Sequence, residues 1–353
     1  MRRGSLMRRS RLLIFLVMAV LVIGSSFAVT AQEWPDLSGE EIEVTGVWTG
    51  NSQTYFEDVL GRFSELTGAE VTYSPVGENM ATVLGTQIEG GNPPDIAMLP
   101  QPGLLRELAL DGDLAPIEDE VGELVDENYA QVWRDLGSIE GELYGVWFKA
   151  ANKSLMWYNA NVFEEAGVSE AETWEELMTT ADDLYFYGVT PFSIGGASSW
   201  TLTDWFENIY LRVAGPENYD KLLNHEIPWT HETVIESLEI LKDVFGRPEW
   251  LAGGIEGSLE ANHPQGIIRP FVEPPEAAMV YGADFSAGAI TNETNAELGV
   301  DAKFFDFPSI NGSPISVVGA GDVAVALVDN EANSNPINNK SKRILADAIL
   351  KRL

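Results

Sequence analysis

The sequence predicts an α/β fold built on a mainly parallel sheet. From residue 42 onward, short apolar or alternating runs typical of strands are separated by longer runs in which apolar residues recur every three or four positions. Strands and helices that alternate in this way form sheets covered by helices on both faces. The length of 353 residues suits one large domain or two of ordinary size.

The first hundred residues contain three predicted strands and two predicted helices. In chain order these are a strand over 42–48, a helix over 54–67, a strand over 70–73, a helix over 80–88 and a strand over 95–99. The first and third strands run into WTGN (48–51) and PQPG (100–103). Ligands of parallel sheets bind beyond the carboxyl ends of the strands, so we expect a ligand near these two loops.

The middle of the chain predicts a crossing between two units. The segment GELYGVWFKAANKSLMWYN (141–159) has the pattern of two strands joined by a short irregular passage, and we place the crossing near 148–152. A helix is predicted to open at Thr173, whose hydroxyl suits an N-cap, and a strand over 190–196 follows it. Mixed helices and loops should then extend to about residue 310. A loop and a pair of apolar strands are predicted within 305–328.

The two ends of the chain differ in charge from its body. Five arginines precede an apolar run over 12–23 and a group of small residues, which predicts a signal peptide over 1–31. The alternative is an uncleaved N-terminal anchor, although twelve apolar residues are short for a membrane span. We therefore expect an exported protein, in the periplasm or on the extracellular face of the cytoplasmic membrane. The basic segment 338–353 is interpreted as either a terminal helix or a truncated or frameshifted gene end.

Charge and composition exclude several classes of function. Residues 32–339 hold 11 of the 21 basic side chains and 54 of the 55 acidic ones, so the body should repel nucleic acids and anionic lipids. The absence of cysteine excludes disulfides and thiolate chemistry. The three histidines lack metal-ligand spacing and are expected to be solvated surface residues. GAGDVA (319–324) is rejected as a dinucleotide motif, because a strand rather than a helix follows it. No cofactor and no metal are expected.

The segment SSWTLTDWF (198–206) is the most informative aromatic stretch. Trp200 and Asp204 are four residues apart and share one face of a helix, with Trp205 next to them. This pattern fits a helix face buried in a core. It equally fits a stacking surface with a carboxylate at its edge, which is the combination that a sugar ring requires. The residues alone leave both interpretations open.

Five segments together resemble extracellular solute-binding proteins of sugar ABC importers, and the likeness is greatest to the alpha-glucoside-binding group. The resemblance runs from about 42 to 330 in order. The segments are GGNPPDIAMLPQPG, YGVWFKAANKSLMWYN, TPFSIGGASSWTLTDWFENIYLR, MVYGADFSAG and FFDFPSINGSPISVVGAGDVAVAL.

The resemblance implies the two-lobe periplasmic-binding-protein fold of type II, with hinge strands and a ligand cleft between the lobes. Lobe 1 would comprise 42–150 plus 317–353, and lobe 2 would comprise 151–316. The family implies a monomer without catalytic activity. Its lobes close over a sugar and present it to the transmembrane subunits of an ABC permease.

The family also implies which residues line the cleft. The family pattern has an acid–glycine pair where this chain has Gly282 and Ala283, so one hydroxyl contact is expected to be missing. The expected ligand-binding residues are Trp48, Thr49, Asn51, Gln101, Lys149, Trp200, Asp204, Trp205, Tyr281, Asp284, Phe285, Gly319, Gly321 and Asp322.

Two other functions remain as alternatives. A secreted glycoside hydrolase would need two carboxylates held at a defined separation across the cleft. A receptor of the same fold for a non-sugar solute, such as a polyamine or peptide, would suit the acidic body. The mixture of aromatic and polar candidates favours a neutral polyol, and the leading hypothesis is a sugar receptor.

Overall fold

A computed structural model describes residues 34–117 and 119–328. The predicted signal peptide and the basic segment 338–353 lie outside these residues. The chain forms two large sheets, joined by a crossing that leaves the first sheet at Asn152 and enters the second at Leu155.

The first sheet has the strand order β2-β1-β3-β11-β6. Strands β1, β2 and β3 are parallel to one another, whereas β11 is antiparallel to both of its neighbours. The prediction of a mainly parallel sheet therefore holds for β1–β3 only, because β11 returns from the second sheet in the opposite direction. The strands are β1 (Glu41–Gly46), β2 (Glu70–Pro75), β3 (Ile96–Leu99), β6 (Gly145–Asn152) and β11 (Gly319–Ala326).

Five helices and a small hairpin accompany the first sheet. The helices are α1 (Gly50–Thr67), α2 (Met80–Glu89), α3 (Pro102–Asp111), α4 (Asp119–Asn128) and α5 (Gln131–Leu136), and the hairpin pairs β4 (Ser138–Ile139) with β5 (Glu142–Leu143). Helix α1 begins four residues earlier than predicted. The N–H groups of the first helical turn have no partner within the helix and can bond to water. The polar residues GNSQ (50–53) can therefore form this turn.

The second sheet has the strand order β10-β7-β9-β8, and only β8 and β9 are parallel. Its strands are β7 (Leu155–Asn159), β8 (Phe192–Ser193), β9 (Met279–Gly282) and β10 (Ala302–Asp306). The accompanying helices are α6 (Ala160–Ala166), α7 (Trp174–Tyr187), α8 (Trp200–Leu223), α9 (Glu232–Phe245), α10 (Gly254–Glu260), α11 (His263–Ile268) and α12 (Ser286–Glu293). Thr173 caps α7 as predicted, in a capping box with Glu176.

The predicted pair of strands within 305–328 is wrong, because β11 is the one strand that lies wholly in this range. Residues 307–318 have no regular structure. Pro308 and Pro314 lack backbone donors, and Asn311 and Gly312 adopt positive φ angles of 53° and 72°. This irregular segment carries the chain from the second sheet back to the first.

Each sheet has its own hydrophobic core. Among the described residues, no core cluster combines side chains that belong to the two sheets. We refer to β1–β6, β11 and their helices as the first lobe, and to β7–β10 and their helices as the second lobe. The helices described within 34–328 include none long and apolar enough to cross a membrane.

Candidate functional site

The two chain crossings lie side by side and are hydrogen-bonded to each other. The Lys153 N–H donates to the carbonyl of Val318 at 2.9 Å, and the Val318 N–H donates to Ser154 Oγ at 2.8 Å. Asp284 fastens the end of β6, since its Oδ2 accepts from the Asn152 N–H at 3.0 Å. The predicted site residue Asp284 is thus already bonded to the backbone of the crossing.

A lysine–aspartate pair occupies the first-lobe side of the crossing. Lys149 and Asp322 face each other across β6 and β11, with 3.0 Å between Nζ and Oδ2. Burial raises the pKa of the Asp322 carboxyl, and the Lys149 ammonium opposes that rise. Trp48 and Phe285, from opposite lobes, place their ring centres 5.4 and 5.7 Å from Lys149 Nζ. The structure therefore brings together four of the predicted site residues.

A second lysine–aspartate pair lies on the second-lobe side. Lys153 Nζ is 3.1 Å from Asp204 Oδ1 and 4.8 Å from the ring centre of Trp200. Burial raises the pKa of the Asp204 carboxyl, against the effect of Lys153. Asp204 Oδ2 is buried and has no hydrogen-bond partner. Because an unpaired buried acceptor is costly, this oxygen is well suited to accept a hydrogen bond from a ligand.

Aromatic rings cover the space beside the second pair. Trp200 lies 4.7 Å from the His263 ring and 6.2 Å from that of Phe285. Burial, followed by the charge of Lys153, lowers the pKa of His263 to about 4, so the imidazole is neutral at pH 7. Its Nε2 is buried without a partner. The expectation that the histidines are solvated surface residues is wrong for His263.

Two predicted ligand contacts conflict with the packing and hydrogen bonding of their side chains. Trp205 is 1% exposed and packs against Phe192, Tyr281 and Phe307, so its indole has no face available to a ligand. One residue after Asp204, it lies about 100° further round the helix, on the core side. Tyr281 is 5% exposed and its hydroxyl donates to the carbonyl of Lys153. Both residues support the cleft from inside the second lobe.

Gly321 is explained by packing rather than by ligand contact. It pairs with Ala150 just before the register shift between Asp322 and Val323, and a Cβ atom there would collide with the Lys149 carbonyl and approach the Trp147 ring. A glycine at this position allows the two strands to pair next to the Lys149–Asp322 pair.

The remaining predicted residues lie at exposed edges. Thr49 and Gln101 are extended residues that immediately precede α1 and α3, and Gly319 is exposed at the start of β11. The Asn51 side chain donates to Asn292 Oδ1 of the second lobe at 3.0 Å. Their contacts with a ligand remain predictions.

Sequence reasoning missed Lys153 and His263. Lys153 pairs with the buried Asp204, 51 residues away along the chain. Its position four residues after Lys149, in a body with few basic residues, was the available signal. Nothing local marks His263, because its environment comes from Trp200 and Phe285.

The described residues include no group of three or more His, Asp or Glu side chains that would hold a metal ion. The site therefore consists of two ion pairs, two unpartnered buried polar atoms and three partly accessible aromatic rings. Such a set can stack against a ring and exchange hydrogen bonds with hydroxyl groups.

The sequence model of the bacterial extracellular solute-binding protein family matches residues 48–335. The chain belongs to this family. The resemblance drawn from the sequence segments is confirmed, and the family is one of binding proteins found outside the cytoplasm.

Two relatives are each 34% identical to this solute-binding protein. One is the osmoprotective compounds-binding protein GgtB of Synechocystis sp., aligned over 88% of this chain and 75% of its own. The other is the alpha-glucosides-binding periplasmic protein AglE of Rhizobium meliloti, aligned over 84% of this chain and 67% of its own.

A solved structure also shares the fold. Maltose-bound T. maritima MalE3 has a TM-score of 0.70 and 16% identity, with 88% of this chain and 76% of that chain covered. At this identity the likeness concerns the fold alone. The predicted two-lobe periplasmic-binding-protein fold is confirmed.

Proposed function

We propose that this solute-binding protein is the extracytoplasmic receptor of an ABC importer, which binds a sugar between its lobes and delivers it to the transmembrane subunits of a permease. The observation that carries the proposal is the pair of lysine–aspartate bridges at the crossing, each beside aromatic rings. The relatives' names, which mention osmoprotective compounds and alpha-glucosides, support the same class of function.

The proposed lobes are 42–150 plus 317–353 for lobe 1 and 151–316 for lobe 2. The separate sheets and cores support this division to within a few residues, since β6 of the first sheet ends at Asn152 and β7 of the second begins at Leu155. The crossing hydrogen bonds near Lys153 and Val318 are the proposed hinge, about which the lobes move together when a ligand bridges them.

The charge balance of the cleft favours a neutral ligand. Lys149 and Lys153 are each neutralised by a carboxylate, so the site holds no unpaired lysine charge to attract an acidic sugar. Asp204 Oδ2 would accept a hydroxyl hydrogen bond while a pyranose ring packs on Trp200. We therefore propose an alpha-glucoside or another di- or oligosaccharide as the ligand.

The proposed protein is a non-catalytic monomer that binds no nucleic acid. A glycoside hydrolase needs one carboxyl group that donates a proton and a second that acts as base or nucleophile. Here the carboxylates of the two pairs, Asp204 and Asp322, accept hydrogen bonds from lysine ammonium groups. This arrangement suits binding better than proton donation.

A thermal-shift screen against neutral mono-, di- and trisaccharides, sugar acids, polyamines and short peptides tests the proposal. A ligand that binds only the folded state raises the melting temperature. We expect the largest shift from a neutral di- or oligosaccharide, without release of monosaccharide on prolonged incubation. A shift from polyamines or peptides alone would contradict the sugar assignment, and release of monosaccharide would indicate a hydrolase.

A further inference from the structure

A carboxylate of the first lobe reaches across the cleft to the second. Glu78 lies in the 3-10 turn Gly77–Asn79, which follows β2. Its Oε1 and Oε2 accept hydrogen bonds from Ser198 Oγ at 2.8 and 3.0 Å. Its Oε1 also lies 3.4 Å from the indole N–H of Trp200, which donates to it. One side chain thus bonds to Trp200, the first residue of α8, and to Ser198, the last residue of the preceding 3-10 turn.

The Ser198 hydroxyl is oriented for this contact. Its oxygen accepts from the backbone N–H of His263 at 2.8 Å, so its proton is available to donate to Glu78. The hydrogen bonds link the first lobe to Ser198, Trp200 and His263 at once. The rings of Trp200 and His263 form the aromatic side of the proposed ligand site.

The backbone between the two bonded residues is in an unusual conformation. Ser199 has φ 59° and ψ −53°, a region that L-residues rarely occupy. Strained conformations persist where surrounding contacts determine them. Here the contacts of Ser198 and Trp200 with Glu78 hold both sides of the strained residue.

We propose that Glu78 is a positioning residue that latches the two lobes together and sets Trp200 over the ligand. The inference rests on the proposed function, since a latch between lobes matters only if they open and close. The bond between Asn51 and Asn292 is a second contact between the lobes. A ligand that fits beneath Trp200 lets the latch form, and a bulkier one holds Glu78 away from Ser198.

Dissociation kinetics of a bound sugar test the latch. Glu78→Ala and Glu78→Gln remove or weaken a contact made in the closed form, so they should speed dissociation by about threefold to tenfold and change association less than about twofold. Glu107→Gln, at an exposed carboxylate on α3, is the matched control and should leave both rates unchanged. Unchanged dissociation in both Glu78 variants would overturn the proposal.

A double-mutant cycle separates the latch from a general charge effect. Ser198→Ala removes the hydroxyl that donates to Glu78. If the two residues act as one latch, the Glu78→Ala, Ser198→Ala double variant should dissociate little faster than the more affected single variant. Multiplied effects of the two substitutions would mean that they act independently and would contradict the latch.

An interlobe distance measurement tests the latch without reference to any sugar. The chain has no cysteine, so fluorophores can be attached at Glu127→Cys and Glu175→Cys, which are exposed positions on opposite lobes. Glu78→Ala should reduce the population with a short interlobe distance in the protein without sugar. If it does so and no sugar binds in any assay, the proposed function is refuted and the latch is not. Identical distance distributions with and without Glu78→Ala would refute the latch whether or not a sugar binds.

Discussion

Replacing Asp204 by asparagine tests the second lysine–aspartate pair. The change preserves the size of the side chain and removes the charge that faces Lys153 across 3.1 Å. Loss of a charged acceptor to a ligand hydroxyl costs about 1.5–3 kcal/mol of binding free energy. We therefore expect affinity to fall by about tenfold to a hundredfold.

The same substitution should also lower the free energy of unfolding. Removing one partner of a fully buried pair costs about 3–5 kcal/mol, whereas exposed pairs contribute less than about 1 kcal/mol. The side chain of Lys153 is 20% exposed and that of Asp204 is 5% exposed. Lys153 keeps some access to water, and asparagine removes the desolvation cost of the buried Asp204 charge. We therefore expect the free energy of unfolding to fall by about 1–2 kcal/mol.

Calorimetric titration and denaturant unfolding of Asp204→Asn at pH 7 provide the two measurements. Asp182→Asn is the control, because Asp182 pairs with Arg247 at 3.3 Å in a largely exposed pair. The control should bind sugar as the wild type does and lose less than about 1 kcal/mol of stability. Wild-type affinity in Asp204→Asn would refute the assignment of Asp204 as a ligand acceptor.

Three further predictions follow from the same site. Trp200→Ala should weaken sugar binding about tenfold with little change in melting temperature. Trp205→Ala should instead lower the free energy of unfolding by about 3–5 kcal/mol. The reverse pattern in calorimetry and melting curves would mean that Trp205 stacks on the ligand and Trp200 supports the core. The His263 side chain binds a proton near pH 6.5 in the unfolded chain, whereas its pKa in the folded protein is about 4. Between pH 6.5 and 4 the free energy of unfolding of the wild type should therefore fall by up to about 3 kcal/mol more than that of His263→Gln. Parallel pH profiles of the two proteins in denaturant titrations would contradict the buried neutral imidazole. Arg212→Met should cost about 3 kcal/mol, because it leaves the carbonyls of Phe307 and Ser316 without their donor; wild-type stability in denaturant unfolding would show that water replaces it.

The sequence predicted the strands and helices between 42 and 99 because their signals are local. Strand β3 is wholly apolar and helix α2 carries its apolar residues at helical spacing, so each is recognisable from about ten residues. Strand β11 lies antiparallel between β3 and β6, although more than 150 residues separate it from β6 along the chain. Pairing across such a separation leaves no mark in the local pattern.

Helix α8 shows where longer-range periodicity was available. Asp204, Asn208 and Arg212 recur every four residues and form a buried polar row that contacts the crossing through Lys153 and Ser316. Trp205 and Ile209 form an adjacent apolar row in the core. Following the helix for two more turns would have assigned Trp205 to the core.

The contacts between lobes were beyond the reach of the sequence. Glu78 bonds to residues 120 and 122 positions away, and nothing near it indicates a partner. Lys153 and His263 likewise acquire their environment from distant elements. Such contacts depend on how the lobes approach each other, which the pattern of either lobe alone does not determine.

Small-angle scattering with and without a saturating sugar tests most directly whether the lobes close over a ligand. In the proposed mechanism the crossing near Lys153 and Val318 is the hinge, and the two separate cores move about it as distinct bodies. We predict a smaller radius of gyration in the bound protein, at a sugar concentration at which calorimetry has established saturation. An unchanged radius under saturation would contradict the closing-cleft mechanism.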